Sequence, residues 1–157
     1  MNLNIGPRGV LVIDDARIVY RNFSGAASQY NREGDRNFAV VIPDEETCER
    51  LKAEGWNVRV KPPRTEDDEP FRYLTVKVKF NDNGPNVFLQ SGSAKNKLDE
   101  EDISILDNID IDSVSLDVRP YDWEANGKTG RAAYLQGMWV TQRVDRFIER
   151  YAEAEGM

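Results

Sequence analysis

The 157-residue chain contains no histidine and only one cysteine, Cys48. The first absence removes the commonest general base and the commonest transition-metal ligand together. A lone cysteine forms no internal disulfide, and without histidine it leaves no donor set for a structural zinc ion. Hydrolases that activate serine or cysteine through histidine are excluded. No run approaches the roughly 18 apolar residues of a membrane span, and Met1 to Gly9 has no apolar stretch of the secretory kind. A chain without disulfide capacity fits a reducing compartment, so a cytoplasmic location is expected. Internal repeats, low-complexity tracts and long linkers are also missing, and the length is that of one domain.

What is present points to a folded, heavily solvated unit. The apolar fraction of 39% suffices for one core, and the charged fraction of 31% must cover its surface. The net charge of −7 argues at first against a polyanionic partner. Distribution matters more than the sum. Acids cluster in Glu66 to Glu69, Asp99 to Asp102, Asp107 to Asp117 and the C-terminal stretch, whereas lysines and arginines alternate with apolar residues inside strand-like segments.

Period-two patterns dominate. Val10 to Ile13 and Ala16 to Phe23 read as two strands, or as one strand bent at Asp14-Asp15. Asn22 to Gly34 reads as a loop and Arg36 to Ile42 as the next strand. Pro43-Asp44-Glu45-Glu46 opens a helix with Asp44 as N-cap, Cys48 and Leu51 on one face, and Gly55 as its stop. Trp56 to Lys61 predicts a strand with Trp56, Val58 and Val60 inward. Pro62 to Pro70 is an acidic loop. Arg72 to Phe80 alternates most clearly, with Leu74, Val76, Val78 and Phe80 on one face and Tyr73, Thr75, Lys77 and Lys79 on the other. Asn86 to Gln90 reads as a short strand followed by a polar loop through Lys97, and Asp99 to Leu106 as a helical turn. Ser113 to Trp123 and Arg131 to Thr141 form a hairpin around Asn126-Gly127. Arg143 to Glu155 has helical spacing. The expected fold is mainly β: an antiparallel barrel like the oligonucleotide-binding (OB) fold, with an inserted helix and a C-terminal helix. Residues 1–157 form one domain, with 143–157 as a helical, acidic extension.

Three motifs dissolve on inspection. Gly127-Lys128-Thr129 lacks the earlier glycine of a phosphate-binding loop, whose place is taken by Asp122, and a strand follows it. Asn108, Asp110 and Asp112 start like a calcium loop, but Ser113 and Arg119 occupy the places of its glycine and closing glutamate. Glu66 to Glu69 has no apolar neighbours to shift a carboxylate pKa. No catalytic residue, metal site or cofactor is therefore expected, and the chain does not read as an enzyme.

Basic residues interleaved with aromatics carry the positive signal. Tyr73, Lys77 and Lys79 share one strand face, and Arg59 and Lys61 share one on the strand before. Tyr20, Arg21, Arg36 and Phe38 lie in the first strands; Tyr121, Trp123, Lys128 and Arg131 surround the late hairpin. Single-stranded nucleic acid is held by these two devices, cations along the backbone and rings under the bases. Lysines on a strand face also serve simply against aggregation, and Phe38, Trp56, Trp139 and Phe23 continue apolar faces and are expected in the core.

The series Tyr20-Arg21-Asn22-Phe23-Ser24-Gly25, Tyr30-Asn31, Gly34-Asp35-Arg36-Asn37-Phe38 and Gly55-Trp56-Asn57-Val58 continues with Arg119-Pro120-Tyr121-Asp122-Trp123 and Asn126-Gly127-Lys128-Thr129-Gly130 to Ala133-Tyr134. Over about Val10 to Thr141 the chain resembles bacteriophage single-stranded-DNA-binding proteins of the Enc34 type, and more distantly the T7-type phage protein of that class. The resemblance implies an OB fold that coats single strands in phage replication, recombination or repair, inside the cytoplasm of an infected bacterial cell. It carries over Tyr20, Arg21, Tyr30, Arg36, Trp56, Tyr121, Trp123, Lys128 and Tyr134 as DNA-binding candidates. Relatives of this class often end in an acidic tail that recruits replication proteins. Here Glu149 to Met157 holds three glutamates but also Arg150, which departs from that pattern.

The expected partner is single-stranded DNA, bound without sequence preference, with phage or host replication proteins as candidate protein partners and no membrane. A noncatalytic protein-interaction module of the replication machinery is the alternative. Monomer and dimer both stay open.

Overall fold

The computed structural model of the chain describes residues 1–82 and 84–144. Ten strands and one α-helix follow in order: β1 (Asn2–Ile5), β2 (Leu11–Asp14), β3 (Ile18–Asn22), β4 (Arg36–Val41), α1 (Glu45–Ala53), β5 (Val58–Lys61), β6 (Phe71–Val78), β7 (Asn86–Ser91), β8 (Ala94–Leu98), β9 (Ile111–Ala125) and β10 (Lys128–Gln142). A 3₁₀ turn at Ile103–Asp107 precedes β9 and matches the helical turn expected there. No helix among the described residues is long and apolar enough to cross a membrane. The C-terminal helix expected from Arg143 lies outside the described residues, apart from Arg143 and Val144, which are in neither helix nor strand.

Where local chemistry is strong, the elements follow it. The Asp44 carboxylate accepts the Thr47 backbone N–H at 2.7 Å, capping α1, and Gly55 takes a φ of +97° just beyond the helix. Cys48 and Leu51 are the buried residues of α1. Asn126 and Gly127 both have positive φ, as the two-residue turn joining β9 to β10 requires. Along β6, Leu74, Val76 and Val78 are buried while Thr75 and Lys77 are exposed, and Lys79 beyond its end is exposed too.

The hydrogen-bonded order is β1-β2-β9-β10-β6-β4-β3, with β5 on β6 and the β7–β8 hairpin on β10. The ends of that order do not pair, so the sheet is not closed into the expected barrel. β2 follows β9, but at Asp15 (φ +51°) the chain turns away, and β3 joins β4 instead. At that corner only single bonds remain, such as Ala16 N–H to the Val114 carbonyl at 2.8 Å. Nor is the sheet wholly antiparallel. β10 runs parallel to β6 at Ala133↔Val76 and Tyr134↔Lys77, and parallel to β7 from Gly137 to Thr141.

Two strands are absent from the sequence reading. β1 is a largely exposed edge strand on β2, and β8 replaces the polar loop expected through Lys97. β8 is an outer strand whose Lys95 and Lys97 face water, which disguises its alternation. Val60, expected inward, is 43% exposed because β5 runs past the rim of the core. Trp139, also expected in the core, is 37% exposed. The core itself is continuous: Phe23 stacks on Phe38 at 5.1 Å, and both are fully buried with Leu11, Ile13, Val40, Val76 and Leu51. Each such side chain contributes roughly 1.5–3 kcal/mol on burial.

Candidate nucleic-acid interface

β6 organises the candidate surface. Its alternation turns Phe71, Tyr73, Thr75 and Lys77 to the side opposite the core. β4 covers one edge of β6, and the other edge is shared by β5 at residues 71–74 and by β10 at residues 76–77. Cross-strand register then sets Arg59 beside Tyr73, Lys61 beside Phe71 and Tyr134 beside Lys77. On the neighbouring strand β9, Arg119 lies beside Tyr134. The outer faces of adjoining strands therefore carry cations and rings in one array.

At the β5 end, Tyr20, Phe71 and Tyr73 form a cluster. Phe71 and Tyr73 are stacked at 5.6 Å, and Tyr20 meets them edge-on at 6.1 and 5.5 Å. Lys61 donates to the Tyr20 hydroxyl at 2.9 Å and sits 4.9 Å over its ring. That hydrogen bond is the main cause holding the Lys61 ammonium above the usual lysine pKa. Tyr20 reaches this position through a β-bulge: between Val19↔Ala39 and Asn22↔Asn37, β3 has one residue more than β4. The bulge holds Tyr20 at φ +52°, an uncommon conformation for a bulky side chain. Tyr20 is 53% exposed.

At the β9–β10 end, Tyr134 lies between two cations. Arg119 is 5.0 Å and Lys77 5.8 Å from its centroid, and Tyr121 meets it edge-on at 5.9 Å. Further along the hairpin, Trp123 pairs with Gly130. A Cβ on Gly130 would lie 2.6 Å from Trp123 Cε2, so the indole packs directly against the glycine backbone. Gly130 is thus required by close approach, and Trp123 is 42% exposed. Lys128 is exposed at the hairpin's tip.

Beside Tyr134, on the β4 side of β6, lies a cleft of about 340 Å³ lined by Thr75, Lys77, Lys79, Asn31, Asn37 and the acidic Asp35. Its rim is the loop before β4. Asn31 Nδ2 donates to the carbonyls of Ala26 and Asp35 at 2.9 and 3.0 Å, and Asn37 Nδ2 donates to Asn31 Oδ1 at 2.9 Å. This bracing presents Tyr30 at the loop tip, 91% exposed.

Other candidates are engaged within the fold. Arg21 donates to the Leu106 and Ile109 carbonyls, both at 2.8 Å, tying β3 to the 3₁₀ turn. Arg36 pairs with Glu100 at 3.2 Å, and its Nε is buried without a partner. Arg131 makes a two-pronged pair with Asp122 at 2.7 and 3.2 Å, donates to the Glu54 carbonyl at 2.8 Å and lies 5.4 Å over Trp56. Trp56 itself is buried. Conversely, Phe71 and Arg119 belong to the array without being among the sequence-derived candidates. Simple alternation is the signal that points to both, Phe71 with Tyr73, and Arg119 with Tyr121 and Trp123.

The charge pattern distinguishes the two sets. Among the described residues only Arg36–Glu100 and Arg131–Asp122 form ion pairs. Arg59, Lys61, Lys77, Lys79, Arg119 and Lys128 have no carboxylate partner among them. The acidic loop approaches at one point, where Asp68 and Glu69 line a cleft with Lys61 and Tyr20. No three acidic or cysteine side chains converge as a metal site among the described residues.

Comparison with known proteins gives two findings. Residues 5–156 match the model of a family described as "Putative phage ssDNA-binding domain". Among solved structures, the chain resembles the single-stranded DNA-binding protein from bacteriophage Enc34 in a C-terminally truncated form. That match has TM-score 0.59 and 12% identity, and covers 92% of this chain and 91% of that one. It also resembles the same phage protein in complex with single-stranded DNA, with TM-score 0.56, 12% identity and 93% of each chain covered. No curated protein sequence matches the chain.

Proposed function

The chain belongs to the phage single-stranded-DNA-binding domain family, and from that premise we propose that it binds single-stranded DNA without reading its sequence, on the outer face of β5, β6, β10 and β9. One observation carries the reading: six cations without a carboxylate partner among the described residues are interleaved with rings open to water on that face. A polyphosphate backbone needs the first, and unstacked bases need the second. Backbone-tracking cations and ring faces distinguish no base from another, which suits coating rather than recognition. The open sheet with its inserted helix is an elaborated OB-type scaffold, and the fold shared with the Enc34 protein supports that reading.

Catalysis has no part in this function. The protein protects single strands exposed during phage replication, recombination or repair, in the cytoplasm of the infected bacterium. Its groups of choice are Tyr20, Lys61, Tyr73, Lys77, Lys79, Arg119, Tyr121, Trp123 and Tyr134, with Tyr30, Arg59 and Lys128 at the margins. Arg21, Arg36 and Arg131 serve the scaffold beneath. Fluorescence anisotropy with labelled oligo(dT), repeated on a duplex of equal length, tests the proposal. Tighter binding of the single strand, weakening steeply between about 50 and 200 mM salt, is expected. Absence of binding, or affinity indifferent to salt, overturns it and leaves a protein-interaction module in its place.

A further inference from the structure

Trp139 is an anomaly of the fold. It lies on a long central strand, yet more than a third of its surface meets water. β10 carries a bulge between Leu135 and Gly137, beyond which Met138 and Val140 turn into the core and Trp139 turns outward. The parallel pairing with β7 sets Trp139 beside Phe88, and the β7–β8 hairpin sets Phe88 beside Lys97 and Gln90 beside Lys95. The indole stacks on Phe88 at 5.4 Å with 27° between the planes. Its Nε1 donates to Gln90 Oε1 at 3.2 Å, and Lys95 lies 6.0 Å over the ring. Neither Lys95 nor Lys97 has a carboxylate partner among the described residues. A cleft of about 380 Å³ opens beside the ring pair, walled by Asn86 and Ser115 and, on its far side, by Asp14 and Asp117.

We propose that Trp139 and Phe88, flanked by Lys95 and Lys97, form a second stacking station for the same DNA strand. The proposal rests on the function proposed above and lengthens its path. Tyr134 and Trp139 project from the outer side of β10 five positions apart, roughly 13–17 Å once the bulge is allowed for. The station repeats the device of the first array, a ring held rigid by its neighbours with cations beside it. The indole has its polar atom satisfied by Gln90 and its orientation fixed by Phe88, which leaves the exposed ring surface for a base. Asp14 and Asp117 repel phosphates from the β2 side, so the backbone runs over β8, where the lysines are. A cross-strand aromatic pair also stabilises a sheet, but that role needs no lysines and moves no DNA footprint.

The test uses the full chain with oligo(dT) of about 4 to 20 nucleotides, since OB-type site sizes run from about 4 to 16 nucleotides. Trp139→Ala and the double variant Lys95→Ala/Lys97→Ala are compared with the parent for affinity, footprint and melting. The expected result is a roughly 5- to 150-fold loss on the longest oligonucleotide for Trp139→Ala, with a footprint shortened by some nucleotides. The lysine variant, both of whose side chains are exposed, should melt like the parent and show a flatter salt slope. It decides the matter if Trp139→Ala melts much lower. Unchanged long-oligonucleotide affinity and footprint in the lysine variant overturn the station while leaving the first array standing. Absence of parent binding at every length overturns both proposals. A change of oligomeric state in Trp139→Ala with an unmoved footprint overturns the station in favour of a contact between copies.

Discussion

Three arginines with the same sequence credentials have different employment from the lysines. Arg21, Arg36 and Arg131 each sit near an aromatic or turn residue in the sequence, and each is engaged by a carbonyl or a carboxylate. A guanidinium offers several donors in a fixed fork, so it is readily recruited to tie loops together. Arg131 is the clearest case. Its side chain joins the β9–β10 hairpin to the end of α1 through Asp122 and the Glu54 carbonyl. Arg131→Ala should lower the melting temperature by about 2–4 °C, the equivalent of one net hydrogen bond, and should weaken DNA binding less than removal of Lys77 and Lys79. The same variant has a pH signature. Hydrogen bonds from Arg131 hold the Asp122 carboxyl below the usual aspartate range. A depressed carboxylate stabilises the fold above its unfolded pKa, and that contribution is lost as pH falls through the folded value. The melting gap between parent and variant should therefore be full at pH 7 and narrow below about pH 4; thermal melts on either side of that value check it. A gap constant across that range would assign the stabilisation to packing on Trp56 instead.

At the scale of elements, legibility depends on whether one side of the element carries a strong local signal. The cap at Asp44, the alternation from Leu74 to Val78 and the Asn126-Gly127 turn are readable because short-range physics alone decides them. β8 is not, because its outward face is lysine and its inner face begins with alanine and asparagine. The bulge at Tyr20 is invisible because bulges arise from register between strands, and register is a tertiary property. The open corner at Asp15 is of the same kind, and it turns an expected barrel into an open sheet. Trp139 reads as core from its apolar surroundings in the sequence; only the bulge at Gln136 and the parallel pairing to β7 reveal its outward turn. Of the proposed binding face, the β6 half is legible and the join to β9 is not. That join yields a prediction for the hairpin as an element. Gly130→Val leaves no room for the Trp123 ring on the sheet, so the indole must swing away from its platform. The variant should stay folded, since the tip lies beyond the core, yet lose roughly 1–3 kcal/mol of binding if one base stacks there. Oligo(dT) titration with a melting control reads both quantities, and undiminished affinity would remove Trp123 from the path.

For the molecule as a whole, a net charge of −7 coexists with a cationic face because the two signs are partitioned. Most acids lie in and around α1, in the loop after β5, around the 3₁₀ turn and on the approach to β9, with Asp35, Asp68 and Glu69 reaching the candidate face, whereas the lysines of the two proposed stations project from strands β5, β6 and β8 or follow directly on β6. Such partition steers a polyanion toward one face and repels it elsewhere. It also predicts that affinity depends on where a charge is removed rather than on the total. The most direct measurement is the salt dependence of oligo(dT) affinity for Lys77→Ala/Lys79→Ala against the parent. Both lysines are exposed on the outer side of the β6 segment, so the double variant should melt like the parent. If they bind the backbone, the slope of log affinity against log salt flattens by roughly 0.7 for each phosphate no longer neutralised, and affinity at low salt falls. A double variant that melts like the parent and keeps both its affinity and its slope would contradict the placement of the DNA on this face.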